Sequence, residues 1–274
     1  MRDNLQQLAN IKVFLDTQKI FIKGGYALDG ETYTMEKPES FYIASREISE
    51  MFTALKNNVR QQKTGGTELI FSDDDTFSYV ENNYETSTLV LNFASSIVPG
   101  GGVRSGSNAQ EENLCRRSNL LQSLDTWDNH SLYYDANRIA TVKFGSSAAI
   151  LSRNVTIFKN KKYELIRPFA CDVITMAFPD LRHYELDGDN FDDYIDSVSE
   201  KVRNIFTVAA NYNYSNIVLG AIGCGAFRND PETVSEIFNQ HINSEEFRNR
   251  FNKVIFAIPK ATESSLYNRM VFSP

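Results

Sequence analysis

An α/β sandwich with a mixed sheet is the fold this sequence predicts, and three observations predict it. Five short, apolar, β-branched runs recur between residues 67 and 258. Stretches of helical periodicity separate them. Two of the runs end in glycine-rich turns that lead into helix starts, as crossings do in a layered α/β domain.

Taken in order, residues 2–16 place Leu5, Leu8, Ile11 and Leu15 along one side of a helix. A Gly-Gly turn at 24–25 follows. Residues 41–62 read as a second helix with Ile43, Ile48, Met51 and Leu55 as its apolar stripe. The pattern then changes. TELIF (67–71), TSTLVLNFA (86–94), DVITMAF (172–178), NIVLGAI (216–222) and VIFAI (254–258) read as strands. Their continuous apolarity implies burial on both faces. The clearest helix between them is 190–211, with Phe191, Tyr194, Ile195, Val198, Val202, Ile205 and Phe206 at three-to-four spacing. Another begins at Asp230-Pro231, where Asp caps and Pro suits the first helical position. This predicts a sheet domain over 65–274, with 1–64 as a helical N-terminal layer packed on it.

The bulk numbers bound the function. A chain of 274 residues with 42% hydrophobic residues can build one large core without metals or disulfides. The three cysteines, Cys115, Cys171 and Cys224, form no CxxC or zinc pattern, so reduced thiols in a cytoplasmic compartment are expected. The N-terminal MRDNLQQLANIKVF lacks the apolar run of a signal peptide. No apolar stretch approaches ~20 residues, so no membrane partner is expected. A net charge of −7 argues against broad electrostatic binding to nucleic acid. It leaves room for one anionic ligand held by backbone N–H groups.

The segment NFASSIVPGGGVRSGSNAQEE, 92–112, is the most informative. Gly100, Gly101 and Gly102 let a ligand approach the backbone closely, and they tolerate φ > 0, so consecutive N–H groups can converge on an anion. Gln110-Glu111-Glu112 opens a helix with Leu114, Leu120 and Leu121 inside. Two carboxylates there suit the helix dipole, which is a purely structural explanation. The functional one is that one of them is an acid. Glycosidic cleavage needs a proton donor to the leaving oxygen. A carboxyl beside a bound diphosphate is biased toward its protonated form. A second strand–glycine–helix crossing, NIVLGAIGCGAFRNDP (216–231), presents Gly220, Gly223 and Gly225. Two such crossings can offer N–H groups to the two anionic groups of one diphosphate at the C-terminal ends of strands. Phe227 after the loop reads equally as a core residue or as a ring that stacks on a sugar.

With both loops in view, the chain resembles the bacterial-type (microbial) poly(ADP-ribose) glycohydrolases, a branch of the macrodomain superfamily. Their hallmark is GGG, six to eight residues, then QEE. Here seven residues separate Gly102 from Gln110. DTQKIFIKGGY (16–26), NFAS (92–95), VTIFKN (155–160), DVITMAFPDL (172–181), GAIGCGAFRNDP and VIFAI resemble the family's successive blocks. The resemblance implies a macrodomain-like three-layer α/β/α sandwich with an N-terminal helical extension. It implies that Glu112 is the catalytic acid and that Glu111 positions the terminal ribose. Gly100, Gly101 and Gly102 would cradle the diphosphate. Gly223, Cys224, Gly225 and Ala226 would close its other side, with Phe227 pressing on the ribose. Asn92 and Gln110 would also belong to the ligand site, and Phe256 would border the adenine. The implied ligand is ADP-ribose or poly(ADP-ribose). The implied substrate is an ADP-ribosylated protein, or nucleic acid, acted on by a monomer without a cofactor or metal. A non-catalytic ADP-ribose reader, or a protein that hydrolyses or sequesters an NAD-derived small molecule, would use the same pocket. Glu112 separates the reader from the enzyme, because a reader needs no acid there.

Other features have plainer readings. His130, His183 and His241 show no metal-ligand spacing. Asp73-Asp74-Asp75 reads as a turn, and Asp192 and Asp193 suit a helix start. Cys224 is either a reactive thiol or a small buried residue. Arg104, Arg116 and Arg117 flank the first loop, either drawing in a polyanion or lying on an ordinary helix surface.

Overall fold

The structure, a computed structural model, describes residues 2–57, 66–139, 143–260 and 271. The N-terminal part comprises α1 (Arg2–Ile22), β1 (Gly25–Leu28), β2 (Glu31–Thr34), β3 (Glu39–Ile43) and α2 (Ser45–Asn57). Then come β4 (Glu68–Ser72), α3 (Thr76–Asn82), β5 (Thr88–Phe93), α4 (Gln110–Arg117) and α5 (Leu120–Leu124). α6 (Trp127–Asn129) runs through a π-helical turn, His130–Asp135, into α7 (Ala136–Ile139). β6 (Ala149–Lys159), β7 (Leu165–Met176), α8 (Phe191–Asn211), β8 (Asn216–Leu219), α9 (Pro231–Ile242) and β9 (Lys253–Ala257) follow.

The sheet has the order β3-β6-β7-β5-β8-β9-β4. From β7 to β4 all neighbours are parallel, and β6 and β3 add antiparallel pairs at one side. Alternate residues feed two cores. Leu89, Leu91, Ile217, Leu219 and Val254 pack with α2, α8 and α9. Val90, Val218 and Ile255 pack on the opposite face with α3, α4, α5 and the π-helical turn. That double burial explains why the strands read as continuous apolar runs. The result is the expected three-layer α/β/α sandwich with a mixed sheet.

Several expectations change in detail. The segment before residue 65 holds three strands besides its helices, and β3 pairs Phe41 with Leu151 in the main sheet. The second helix begins at Ser45, because residues 41–43 are strand, and the expected residues 58–62 lie outside the described ones. The leucine side of α1 faces outward, with Leu5, Leu8 and Leu15 exposed. α1 is seated instead through Asn10, Phe14, Thr17 and Ile20. Asn10 Nδ2 donates to Gly106 O at 2.9 Å and Thr17 Oγ1 donates to Arg116 O at 2.5 Å. Two polar anchors thus outvote an apolar stripe in choosing the buried face. A Cβ at Gly106 would lie 2.3 Å from Gln7 O, so α1 runs hard against the backbone just ahead of α4.

Candidate active site

Helix α4 begins under the C-terminal end of β5, and Gln110 pins it there. The Phe93 N–H donates to Gln110 Oε1 at 2.9 Å, and Gln110 Nε2 donates to Leu91 O at 2.9 Å. Gln110, expected in the ligand site, clamps the helix to the strand through its amide. This fixes the next two side chains. Glu111 is 2% exposed, with Oε2 accepting the Ser95 N–H at 2.8 Å and Oε1 accepting Asn92 Nδ2 at 3.2 Å. Glu112 is 7% exposed, with Oε1 accepting the Gly102 N–H at 2.8 Å and Oε2 accepting the Ala109 N–H at 2.9 Å. The second bond is the reach-back half of a capping box, so Glu112 also caps its own helix.

The first glycine loop wraps these carboxylates. Gly100 and Gly101 take left-handed φ values of 71° and 54°. A Cβ on Gly101 would sit 2.6 Å from Glu112 Oε1 and 3.0 Å from Glu111 Oε2, so both acids converge on one point of the loop. The N–H groups expected to cradle a diphosphate are occupied. Gly101 donates to Val98 O at 2.9 Å, Gly102 to Glu112, and Gly100 to Glu111. Two of these N–H groups thus meet the chain's own glutamates.

The second loop is different. Gly220 fits only without a side chain, since a Cβ would lie 2.6 Å from the Phe93 ring. Gly223 (φ 76°) is closed down by Asn229, whose Nδ2 donates to Pro179 O at 2.8 Å and Gly223 O at 3.0 Å. The N–H groups of Gly223, Gly225, Ala226 and Phe227 have no partner among the described residues. Gly225 and Ala226 are exposed, and a Cβ on Gly225 would meet open space. This loop, at the end of β8 next to β5, offers N–H groups to an incoming anion.

A glutamate pair wrapped by a glycine loop, facing a second loop of free N–H groups, can be compared with known proteins. The family model for the catalytic domain of microbial-type PARG matches residues 15–160. The chain belongs to the microbial-type PARG family. No curated protein matches it. Among solved structures, it is similar to poly(ADP-ribose) glycohydrolase from Thermomonospora curvata. Identity is 23%, coverage 96% of this chain and 98% of that one, and the TM-score 0.86. The form of that protein bound to the inhibitor ADP-HPD matches at the same 23% identity and coverage, with a TM-score of 0.83. The Deinococcus radiodurans poly(ADP-ribose) glycohydrolase in complex with ADP-ribose is 27% identical. There the coverage is 86% of this chain and 92% of that one, with a TM-score of 0.75.

Within this PARG fold, Glu111 lies in a strongly perturbed environment. Burial, with the charge of Glu112 adding to it, pushes Glu111 up to about 8 against the pull of its hydrogen bonds. Tyr133 and Tyr134 are buried in the core on this face of the sheet and come from the π-helical turn, an irregularity that often marks functional sites. The Tyr133 hydroxyl accepts the Ala177 N–H at 3.1 Å.

Other expected residues land elsewhere. Asn92 is fully buried beneath Glu111 and touches that carboxylate, whereas it was expected to touch ribose. Phe256 is a core residue, stacked on Phe71 at 5.6 Å and edge-on to Phe238, whereas it was expected to border adenine. Cys224 is the small buried residue of the two readings. Its thiol is pushed well up by burial and by Asp230, and its Sγ lies 3.4 Å from Ile222 O. Phe227 is half-buried with Arg182 over its ring, and its carbonyl accepts the Leu181 N–H.

Arg116 and Arg117 fit neither reading, since both are fully buried. Arg116 holds Ser107 O and Asn108 Oδ1, each at 2.7 Å. Arg117 meets Asp75 Oδ1 at 2.6 Å, while Asp75 caps α3. Arg104 is turned back onto Pro99 O and Asp125. His130 pairs with Asp125 and His241 with Ser199, while the His183 side chain lies outside the described residues. Among the described residues no three His, Cys, Asp or Glu side chains group as a metal site. No described helix is long and apolar enough to cross a membrane.

Sequence reading did not single out Ser95, Thr175, Tyr133 and Tyr134. Thr175 was recoverable, since it sits opposite Asn92 if two parallel strands are aligned at their ends.

Proposed function

We propose that this chain hydrolyses the glycosidic linkage of ADP-ribose in poly(ADP-ribose) or in ADP-ribosylated proteins, through the Glu111–Glu112 pair. The observation that carries this is the convergence of both carboxylates on Gly101, next to a loop with unpartnered N–H groups. The second loop, with Gly223, Gly225, Ala226 and Phe227, binds the diphosphate. The distal ribose then lies over the glutamates; the Deinococcus radiodurans relative is itself an ADP-ribose binder.

Glu111 carries a proton in the ligand-free state, because burial and the neighbouring charge of Glu112 disfavour its ionised form. Glu111, more deeply buried, is where that proton rests at neutral pH. Glu112, more open, faces the scissile bond. As the bond from the anomeric carbon to the leaving oxygen breaks, the pair gives its proton to that oxygen. A water then adds to the anomeric carbon and returns its proton to the pair. Donation in the transition state is worth typically ~10²–10⁴-fold. Residues of this chain supply the donor, so the mechanism draws on no metal. The chain acts as a monomer, and its three buried free thiols suit the reducing cytoplasm.

The test is incubation with poly(ADP-ribose) and, separately, with mono-ADP-ribosylated protein, with and without a chelator, and detection of free ADP-ribose. Release that survives chelation is expected. Binding without release from either substrate would make the protein a reader.

A further inference from the structure

Under Glu111 lies a buried polar contact that the catalytic reading does not use. Asn92 and Thr175 face each other in the register of β5 and β7, and both are fully buried. Asn92 Nδ2 donates to Thr175 Oγ1 at 3.1 Å and to Glu111 Oε1 at 3.2 Å. An amide nitrogen has two protons, and these two bonds use both. Asn92 Oδ1 is buried without a partner, so neither of its lone pairs holds the side chain in place. The orientation of the amide therefore depends on what accepts the proton that Glu111 does not take, and that acceptor is the Thr175 hydroxyl.

We propose that Thr175 is a positioning residue for the glycohydrolase reaction: it accepts one Asn92 N–H and so aims the other at Glu111. This rests on the reading of Glu111 and Glu112 as the catalytic pair. Glu111 has two other donors, the N–H groups of Ser95 and Gly100, and both belong to backbone. Among the described residues the Asn92 bond is its one side-chain donor, and it joins the acid on α4 to strand β5. Sheet residues position a reacting group more rigidly than loops do, and a small misplacement costs rate rather than binding. Thr175 is two residues before Ala177, whose N–H, just past the end of β7, donates to the Tyr133 hydroxyl.

The experiment compares Thr175→Val with Thr175→Ser and Glu112→Gln, using poly(ADP-ribose) as substrate. Valine keeps the shape and removes the acceptor, while serine keeps the hydroxyl and removes a methyl. Thr175→Val is expected to lower kcat about tenfold with KM little changed, and Thr175→Ser to restore most of it.

The pH profile supplies a readout that mere packing would not move. The groups facing Glu111 are Glu112 and Cys115 from α4 and Tyr133 and Tyr134 from the π-helical turn. None of them differs between the two Thr175 variants. Weakening an N–H donor disfavours the carboxylate. The alkaline limb of kcat/KM in Thr175→Val should therefore move to higher pH, and that of Thr175→Ser should stay with the wild type. Wild-type kcat and profile in Thr175→Val, with Glu112→Gln inactive, would overturn this inference alone. Equal impairment of the valine and serine variants would also overturn it, by making the role one of packing. An active Glu112→Gln would remove Glu112 as the acid, and with it the reading of the pair on which this inference rests.

Discussion

Glu112 Oε1 accepts the Gly102 N–H at 2.8 Å, so the glutamate read as the substrate-facing acid also ties the glycine loop to its helix. One carboxylate thereby serves chemistry and architecture together. Its two oxygens receive two N–H groups, from Gly102 and Ala109, and no neutral amide can match that. Glu112→Gln must turn its NH₂ toward one of these donors. The loss of one cap-type bond costs about 1 kcal/mol. That corresponds to a drop in Tm of roughly 2–4 °C for a chain of this size. Cleavage should fall by ~10²–10⁴, while ADP-ribose binding persists. Calorimetry, thermal melts and single-turnover assays check the three parts. Near-full turnover in Glu112→Gln would leave Glu111, or another site, as the acid.

Gly101 and Gly225 should respond in opposite ways to an added side chain. At Gly101 the backbone is left-handed, and a Cβ would strike both glutamates. Gly101→Ala should therefore abolish turnover and lower Tm, because it displaces the acids. At Gly225 a Cβ meets nothing within 4 Å. Gly225→Val should keep the wild-type Tm and weaken ADP-ribose at least tenfold, about 1.4 kcal/mol, by blocking the free N–H groups. Unchanged affinity in Gly225→Val would move the diphosphate away from this loop.

Much of this was legible in the sequence, and the exceptions share a cause. Buried parallel strands such as β5, β8 and β9 announce themselves by continuous apolarity, and Asp230-Pro231 marks α9 because capping is local chemistry. The glutamates and both glycine loops were legible through motif and spacing. β6 was not read as a strand, because Asn154 at φ 58° and two register shifts break its alternation. The burial of Arg116 and Arg117 was invisible for another reason. Their partners, Tyr163, Ser107, Asp75 and the Lys159 carbonyl, come from distant parts of the chain. That Gly100 and Gly102 meet Glu111 and Glu112 was not legible, because sequence does not tell which side chains fold onto a loop.

Arg117 should behave as a core residue. It is fully buried against Asp75, with Glu81 at 3.5 Å and the Phe77 ring beside it. Removing one partner of a buried pair leaves the other charge uncompensated, at a cost of about 3–5 kcal/mol. Arg117→Ala should lower the unfolding free energy from urea titration by that amount. Arg104→Ala, at the exposed Asp125 pair, should change stability by no more than about 1 kcal/mol. A stable Arg117→Ala with reduced polymer affinity would restore the surface reading.

The buried proton on Glu111 makes stability depend on pH in a direction opposite to that of most acidic groups. Burial raises this carboxyl from its ordinary 4.5 to about 8. Below about 4.5 the folded and unfolded chains both hold the proton, and the folded state has its full advantage. Between 4.5 and 8 the unfolded chain releases the proton and the folded chain keeps it. The unfolded state then binds fewer protons, so stability contributed by this group declines as pH rises, and the loss levels off above about 8. Glu111→Gln removes the titration whatever its constant effect on packing. The Tm difference, variant minus wild type, should therefore climb steadily from about pH 5 to about pH 8.5, because other groups titrate alike in both proteins and cancel. The wild type should also lose turnover above about pH 8, as the pair gives up the proton it must donate. A flat or falling Tm difference would mean that Glu111 is already ionised in the folded protein. The proton would then have to come from solvent or from Glu112 alone.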